Sequence, residues 1–160
     1  MPEHAELCVD HVTLQRAQSG RIDGTIWFRV ARLPAFPDED WFDFPVAVVA
    51  GLVQALESVE ATGRGSAIFF DGPFEVRLAS SDSGAVLQLV ERKFGPRGVP
   101  VPDRVTDVAI DWDIFAAHVR ERAGELLAEC SRRGLDSPDG DDIRAALSRP
   151  RRAKPSGDAV

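Results

Sequence analysis

Apolar and polar positions follow a period of two in 25–33 (Thr-Ile-Trp-Phe-Arg-Val-Ala-Arg-Leu), with a second strand-like stretch before it at 7–14 (Leu-Cys-Val-Asp-His-Val-Thr-Leu). Both are rich in β-branched and aromatic types, with Gly20 and Gly24 in the polar stretch between them. This is the pattern of an antiparallel pair. Ile26, Phe28 and Val30 share one face of the second strand, whereas Trp27, Arg29 and Ala31 share the other. The period then changes. Val48, Val49, Leu52, Val53, Leu56 and Val59 form one broad apolar stripe at helical spacing, which predicts a helix from about Phe44 to Val59. Asp43 is placed to cap it and Pro45 to occupy its first turn, with Gly63-Arg-Gly65 as its stop. Further strands are predicted at 66–71, 74–79, 85–91 and 104–111, with clear alternation in 74–79, separated by Asp71-Gly72-Pro73, by Ser80–Gly84 and by a Gly/Pro-rich loop from Phe94 to Pro102. A second amphipathic helix is predicted from about Asp113 to Arg133, with Asp111 or Asp113 as its cap and Gly134 at its end.

The order β-β-α-β-β-β-β-α has strands in runs rather than in alternation with helices. It predicts an α+β fold with a mainly antiparallel sheet of about five to six strands and two helices packed on one face. Residues 1–134 are expected to form a single domain. Residues 135–160 read as a polar C-terminal tail, with a short helix at 141–148 and disorder from about 149.

Charge refines this picture. The chain has 26 Asp+Glu against 19 Lys+Arg, a formal net charge of -7. Five acids and five bases fall between Leu135 and Val160, so the whole excess belongs to 1–134. An acidic body argues against a generic nucleic-acid binder, which needs a basic footprint. The longest apolar stretch, Phe44 to Val53, is interrupted by Pro45 and Gly51, and no membrane span is predicted. The opening Met-Pro-Glu-His-Ala-Glu has neither a basic nor an apolar leader region, so a cytoplasmic location is expected, with Cys8 and Cys130 as free thiols. Lysine occurs only at Lys93 and Lys154 among the basic residues, an arginine-rich usage that fits a high-GC bacterium.

Motifs for enzyme chemistry are missing. Neither Cys-x-x-Cys nor His-x-x-x-His occurs, and the three histidines, His4, His11 and His118, are isolated in sequence. Gly-x-Ser-x-Gly and a phosphate-binding loop are absent too. No catalytic residue, metal ligand or cofactor is therefore assigned. What stands out is an acidic, aromatic-containing run, Asp38, Glu39, Asp40, Trp41 and Asp43, together with Trp27 on the face of its strand opposite Ile26 and Phe28. Carboxylates attract a basic partner and speed encounter, while aromatic anchors supply affinity. These six residues are the expected partner-binding set.

Four landmarks, Thr25-Ile-Trp-Phe-Arg-Val30, Trp41-Phe-Asp-Phe44, Ile68-Phe-Phe-Asp-Gly-Pro-Phe-Glu-Val76 and Ile110-Asp-Trp-Asp-Ile-Phe115, make residues 6–130 similar in plan to small bacterial α+β proteins. Among these are immunity proteins of polymorphic toxin systems and domains of unknown function. The resemblance implies a non-catalytic protein that blocks a cognate toxin by binding it, and it carries no functional residue over to a position here. The alternative from the residues themselves is a small enzyme or accessory subunit, with a pocket between sheet and helices and His11, His118 or an Asp as acid-base group. A homodimer through the open sheet face or an edge strand is a third expectation.

Overall fold

The computed structural model describes residues 1–151. Its N-terminal sheet contains β1 (Ala5–Arg16), β2 (Ile22–Val30) and the two-residue β3 (Phe42–Asp43), in that order and antiparallel. β1 and β2 run in register from Ala5↔Val30 to Asp10↔Thr25, break, and resume at Gln15↔Asp23. Polar side chains stitch the break: Thr13 Oγ1 donates to the Asp10 carbonyl at 2.6 Å and accepts the Thr25 N–H at 2.9 Å. Gly24 lies under it, where a Cβ would stand 3.0 Å from Thr13 Oγ1 and 3.1 Å from Leu14 Cδ2, so a side chain would force the bulge open.

β4 (Arg64–Ile68), β5 (Phe74–Ser81), β6 (Gly84–Glu91) and β7 (Arg104–Ile110) form a second sheet, an antiparallel meander in sequence order. The α+β class and the antiparallel pairing match the expectation. The strands, however, divide between two sheets instead of forming one. β3 joins β2, not the meander, because Phe36 and Trp41 dock the intervening chain on β2: Phe28 and Phe36 exchange backbone hydrogen bonds at 2.6 and 2.9 Å, and the Ile26 N–H donates to the Trp41 carbonyl at 2.8 Å.

α1 (Pro45–Thr62) is apolar nearly all round, with Val46 to Ala50, Leu52, Val53, Ala55, Leu56 and Val59 all buried. A helix of that kind must be enclosed. It packs against β2, β4, β5 and both later helices. By length and composition alone it would pass for a membrane span, and 61% of it is buried inside the fold. Contact with β4 is close: a Cβ on Gly65 would lie 2.3 Å from the Ala55 carbonyl oxygen. The helix ends at Gly63, in the left-handed region, whose N–H returns to the Val59 carbonyl at 2.8 Å.

α2 (Trp112–Arg132) is capped by Asp111, whose carboxylate accepts the Ile114 N–H at 3.0 Å. It stops in a nested pair of backbone bonds around Gly134, the Leu135 N–H donating to the Cys130 carbonyl and the Gly134 N–H to the Ser131 carbonyl. Beyond it, the segment expected to be a tail folds into α3 (Pro138–Leu147), three residues earlier than periodicity alone predicts. Ser137 caps it by accepting the Gly140 N–H, and Pro138 presets its first turn. Ile143 is fully buried against α1 and α2, so the folded body reaches Leu147. Arg149 pairs with Glu57 at 3.0 Å. The disorder expected from about residue 149 lies, for 152–160, outside the described residues.

Candidate functional site

Between the two docking points on β2, at Phe36 and Trp41, four residues cannot follow the strand and bulge outward. They are Pro37, Asp38, Glu39 and Asp40, and the three acids are exposed. Asp38 Oδ1 accepts the Glu39 N–H at 2.9 Å, and Asp40 adopts the left-handed conformation that a short polar side chain tolerates. Among the described residues Arg29 is the one cation that pairs here, 3.8 Å from both Glu39 and Glu6 and largely exposed, so it offsets little of the charge.

Trp41 and Asp43, adjacent in sequence to the acids, do different work. Trp41 is half-buried and meets Phe74 edge-on, with ring centroids 5.1 Å apart; Phe74 meets Phe36 in the same way at 5.6 Å, and Phe36 meets Phe69 at 5.9 Å. These rings form a cluster beneath the bulge, worth about 0.5–1.5 kcal/mol per pair beyond the area they bury. Gly72 lets the β4–β5 turn press against it, since a Cβ there would come within 2.9 Å of Phe74 and 3.2 Å of Trp41. Asp43 is 1% exposed. Its carboxylate accepts the N–H groups of Phe44, Phe70 and Asp71 at 2.7, 3.2 and 3.0 Å, which ties β3 to the end of β4. It is committed to the fold and offers nothing to a partner, and it acts one residue before the helix's N-cap, Phe44.

Trp27 also departs from expectation. It sits on the outer face of the N-terminal sheet, paired with Cys8, yet is only 8% exposed. Phe42, on the same face and 51% exposed, is the aromatic that reaches solvent. Of the six expected contact residues, the structure gathers Asp38, Glu39, Asp40 and Trp41 into one surface and takes Asp43 and Trp27 out of it. It adds Phe36 and Phe74, together with exposed Asp71, whose N–H is held by Asp43. No local pattern singles these residues out, because the turn and the bulge are far apart in sequence and meet through the Asp43 bonds and the Trp41–Phe74 contact.

Beside the acids lies a cavity of about 230 Å³, floored by Phe36, Phe74 and Leu89, walled by Leu33 to Pro37, and edged by Glu91 and Arg104. Apolar walls with a charged rim suit one inserted side chain. A larger open groove of about 890 Å³ lies on the second sheet's outer face. There Glu75, buried, is gripped by Arg77 at 3.1 Å and Arg92 at 2.8 Å. Burial raises its pKa, but hydrogen bonds from the two arginines prevail and hold the carboxyl below its usual range.

Two of the three histidines, His4 and His118, lie side by side. His118 Nε2 accepts the Leu7 N–H at 2.9 Å, closing the free edge of β1, and burial with Arg122 nearby lowers its pKa. His4 stacks edge-on against it at 6.0 Å. Among the described residues there is no group of three or more metal-ligating side chains. No protein-family profile, curated protein or solved structure matches the chain.

Proposed function

We propose that this chain is a non-catalytic protein-binding domain, an immunity or regulatory protein of the bacterial cytoplasm, that engages a basic partner through the bulge at Asp38, Glu39 and Asp40. One observation carries the reading: three consecutive exposed carboxylates are held on a bulge pinned at both ends, directly beside a cavity floored by aromatic rings. Pinning the bulge before encounter reduces the ordering cost of association. The acids steer a positively charged surface and raise the on-rate, while the cavity takes an apolar or aromatic anchor and sets the off-rate.

The test is affinity capture with the full chain against the products of adjacent genes, compared with an Asp38→Asn, Glu39→Gln, Asp40→Asn variant. The expected result is a partner with a basic face, released by salt, whose association rate falls at least about tenfold in the variant while urea stability stays the same. Equal association of both proteins with that partner would rule the reading out.

A further inference from the structure

The chain itself carries a segment with the chemistry that the acidic bulge and its cavity would receive. In the connection from β6 to β7, residues 92–102 contain Arg92, Lys93 and Arg97 and no acid, whereas residues 33–41 contain Asp38, Glu39 and Asp40 and no base. Phe94 stands in this loop 78% exposed. Backbone contacts hold it out: Phe94 and Pro100 form a bridge, the Gly95 N–H donates to the Val99 carbonyl at 2.9 Å and the Val99 N–H to the Pro96 carbonyl at 3.2 Å. A Cβ on Gly95 would lie 2.5 Å from the Val99 oxygen, so the loop closes only with glycine there. All three cations are exposed; Arg92 reaches Glu75 at 2.8 Å and Lys93 reaches Glu91 at 2.6 Å, while Arg97 pairs with no acid among the described residues. Outside this loop the large hydrophobics at least half exposed are Met1, Val12, Phe42 and Ile114, and each lies within two residues of an acid. An apolar tip set among cations therefore occurs, among the described residues, at this loop. The receiving end is equally distinct. The 890 Å³ groove is open and largely polar, and a 520 Å³ groove between α1 and α3 carries Arg120, Arg149 and Arg151 against Glu57 and Glu60. The 230 Å³ cavity has an aromatic floor with the three acids beside it. Glu91, where the loop begins, and Arg104, where it ends, both edge this cavity, so tip and cavity are neighbours.

Resting on the docking reading of the bulge and cavity, we propose that the chain pairs with a second copy about a two-fold axis between tip and cavity. Each Phe94 enters the other copy's cavity, and Arg92, Lys93 and Arg97 face Asp38, Glu39 and Asp40. The separation of sign selects a second copy. A surface with cations at one end and acids at the other meets opposite charge at both ends when turned through a half-rotation, whereas a face of one sign would meet its like. The same axis makes both insertions together, so forming one holds the other in place. The net charge of -7 opposes association only weakly, because exposed charges more than about 8 Å apart are largely screened at physiological salt. A basic partner competes with the second copy for the same acids and cavity. The pair is the resting form, in which the docking site is covered until that partner displaces it.

Sedimentation of the full chain across the micromolar range is expected to show a reversible rise to twice the chain mass. Phe94→Ser removes the tip and leaves the backbone bonds of the loop in place, so it is expected to raise the dimer dissociation constant at least about tenfold. Charge reversal tests the pairing itself. Asp38→Lys with Glu39→Lys turns the acidic end basic, and Lys93→Glu with Arg97→Glu turns the basic end acidic. Each double variant alone is expected to stay monomeric, and an equal mixture to recover the dimer, because only the mixed pair places opposite signs at both contacts. A parent chain that stays monomeric at every concentration overturns the proposal, as does a dimer unchanged by Phe94→Ser or a mixture that stays monomeric. These samples hold no partner, so such a failure leaves the engagement of a basic partner standing. That reading fails separately, when a partner associates equally with the parent and the charge-neutralised chain while the dimer behaves as stated.

Discussion

Replacing Asp43 by alanine tests whether one buried carboxylate joins the two sheets. The change leaves three backbone donors, on Phe44, Phe70 and Asp71, without the acceptor that holds them at 2.7, 3.2 and 3.0 Å. A stranded buried donor costs about 1–3 kcal/mol, and the exposed position of Phe70 and Asp71 lets water recover part of this, so the low end applies to each. The sum is about 3 kcal/mol, which at roughly 2–4 °C per kcal/mol for a domain of this size lowers the melting temperature by about 6–12 °C. Asp43→Asn keeps Oδ1 for Phe44 and Phe70 and turns an amide against the Asp71 N–H, so it is expected to lose about 1–2 kcal/mol. Urea titration followed by tryptophan fluorescence reads both values, with an unchanged slope showing that the unfolded state is the same. A loss under about 0.5 kcal/mol for Asp43→Ala, or lost partner binding at full stability, would show that the carboxylate serves the surface instead of the fold.

His118 gives a pH dependence of known sign. Burial and Arg122 push its folded pKa below the usual 6.5, so between those two values the unfolded chain binds more protons. Its contribution is complete above about pH 6.5 and is lost as the pH falls through the folded pKa; the urea midpoint should drop as the pH is lowered below about 6.5 in the parent and change less in His118→Gln, whose amide oxygen still accepts the Leu7 N–H. Ile143→Ala removes the one fully buried hydrophobic side chain of α3 and is expected to cost about 2–5 kcal/mol by urea titration; a cost near zero would mean that the helix is a passive tail.

Local pattern carried the class of the fold. The stripe from Val48 to Val59, the alternation of Phe74 to Leu78 and the Asp111 and Gly134 boundaries of α2 are one-dimensional signals, and each marks its element in the structure. The division into two sheets depends on Phe36 and Trp41 docking to β2, bonds that no periodicity encodes. α3 is marginal as an isolated helix and forms because Ile143 finds a place among α1 and α2, which is long-range information. At the candidate site the run Asp38–Asp40 was legible as charge. Asp43 was not separable from it, because burial, not composition, converts the same side chain from a contact into a bridge. Trp27 alternates to the outer face as read, but an outer face need not be exposed.

The enclosure of α1 has a consequence for how the chain reaches its native state. During synthesis the helix emerges after β1 and β2 but before β4, β5, α2 and α3, which provide most of its cover. For that interval an 18-residue segment apolar enough to suit a bilayer has no partner on most of its circumference. Chaperones, lipid and other nascent chains compete for it until the last helix docks. Substitutions at Ile143 should therefore lower soluble yield beyond their equilibrium cost, because they delay the step that closes the cage around α1.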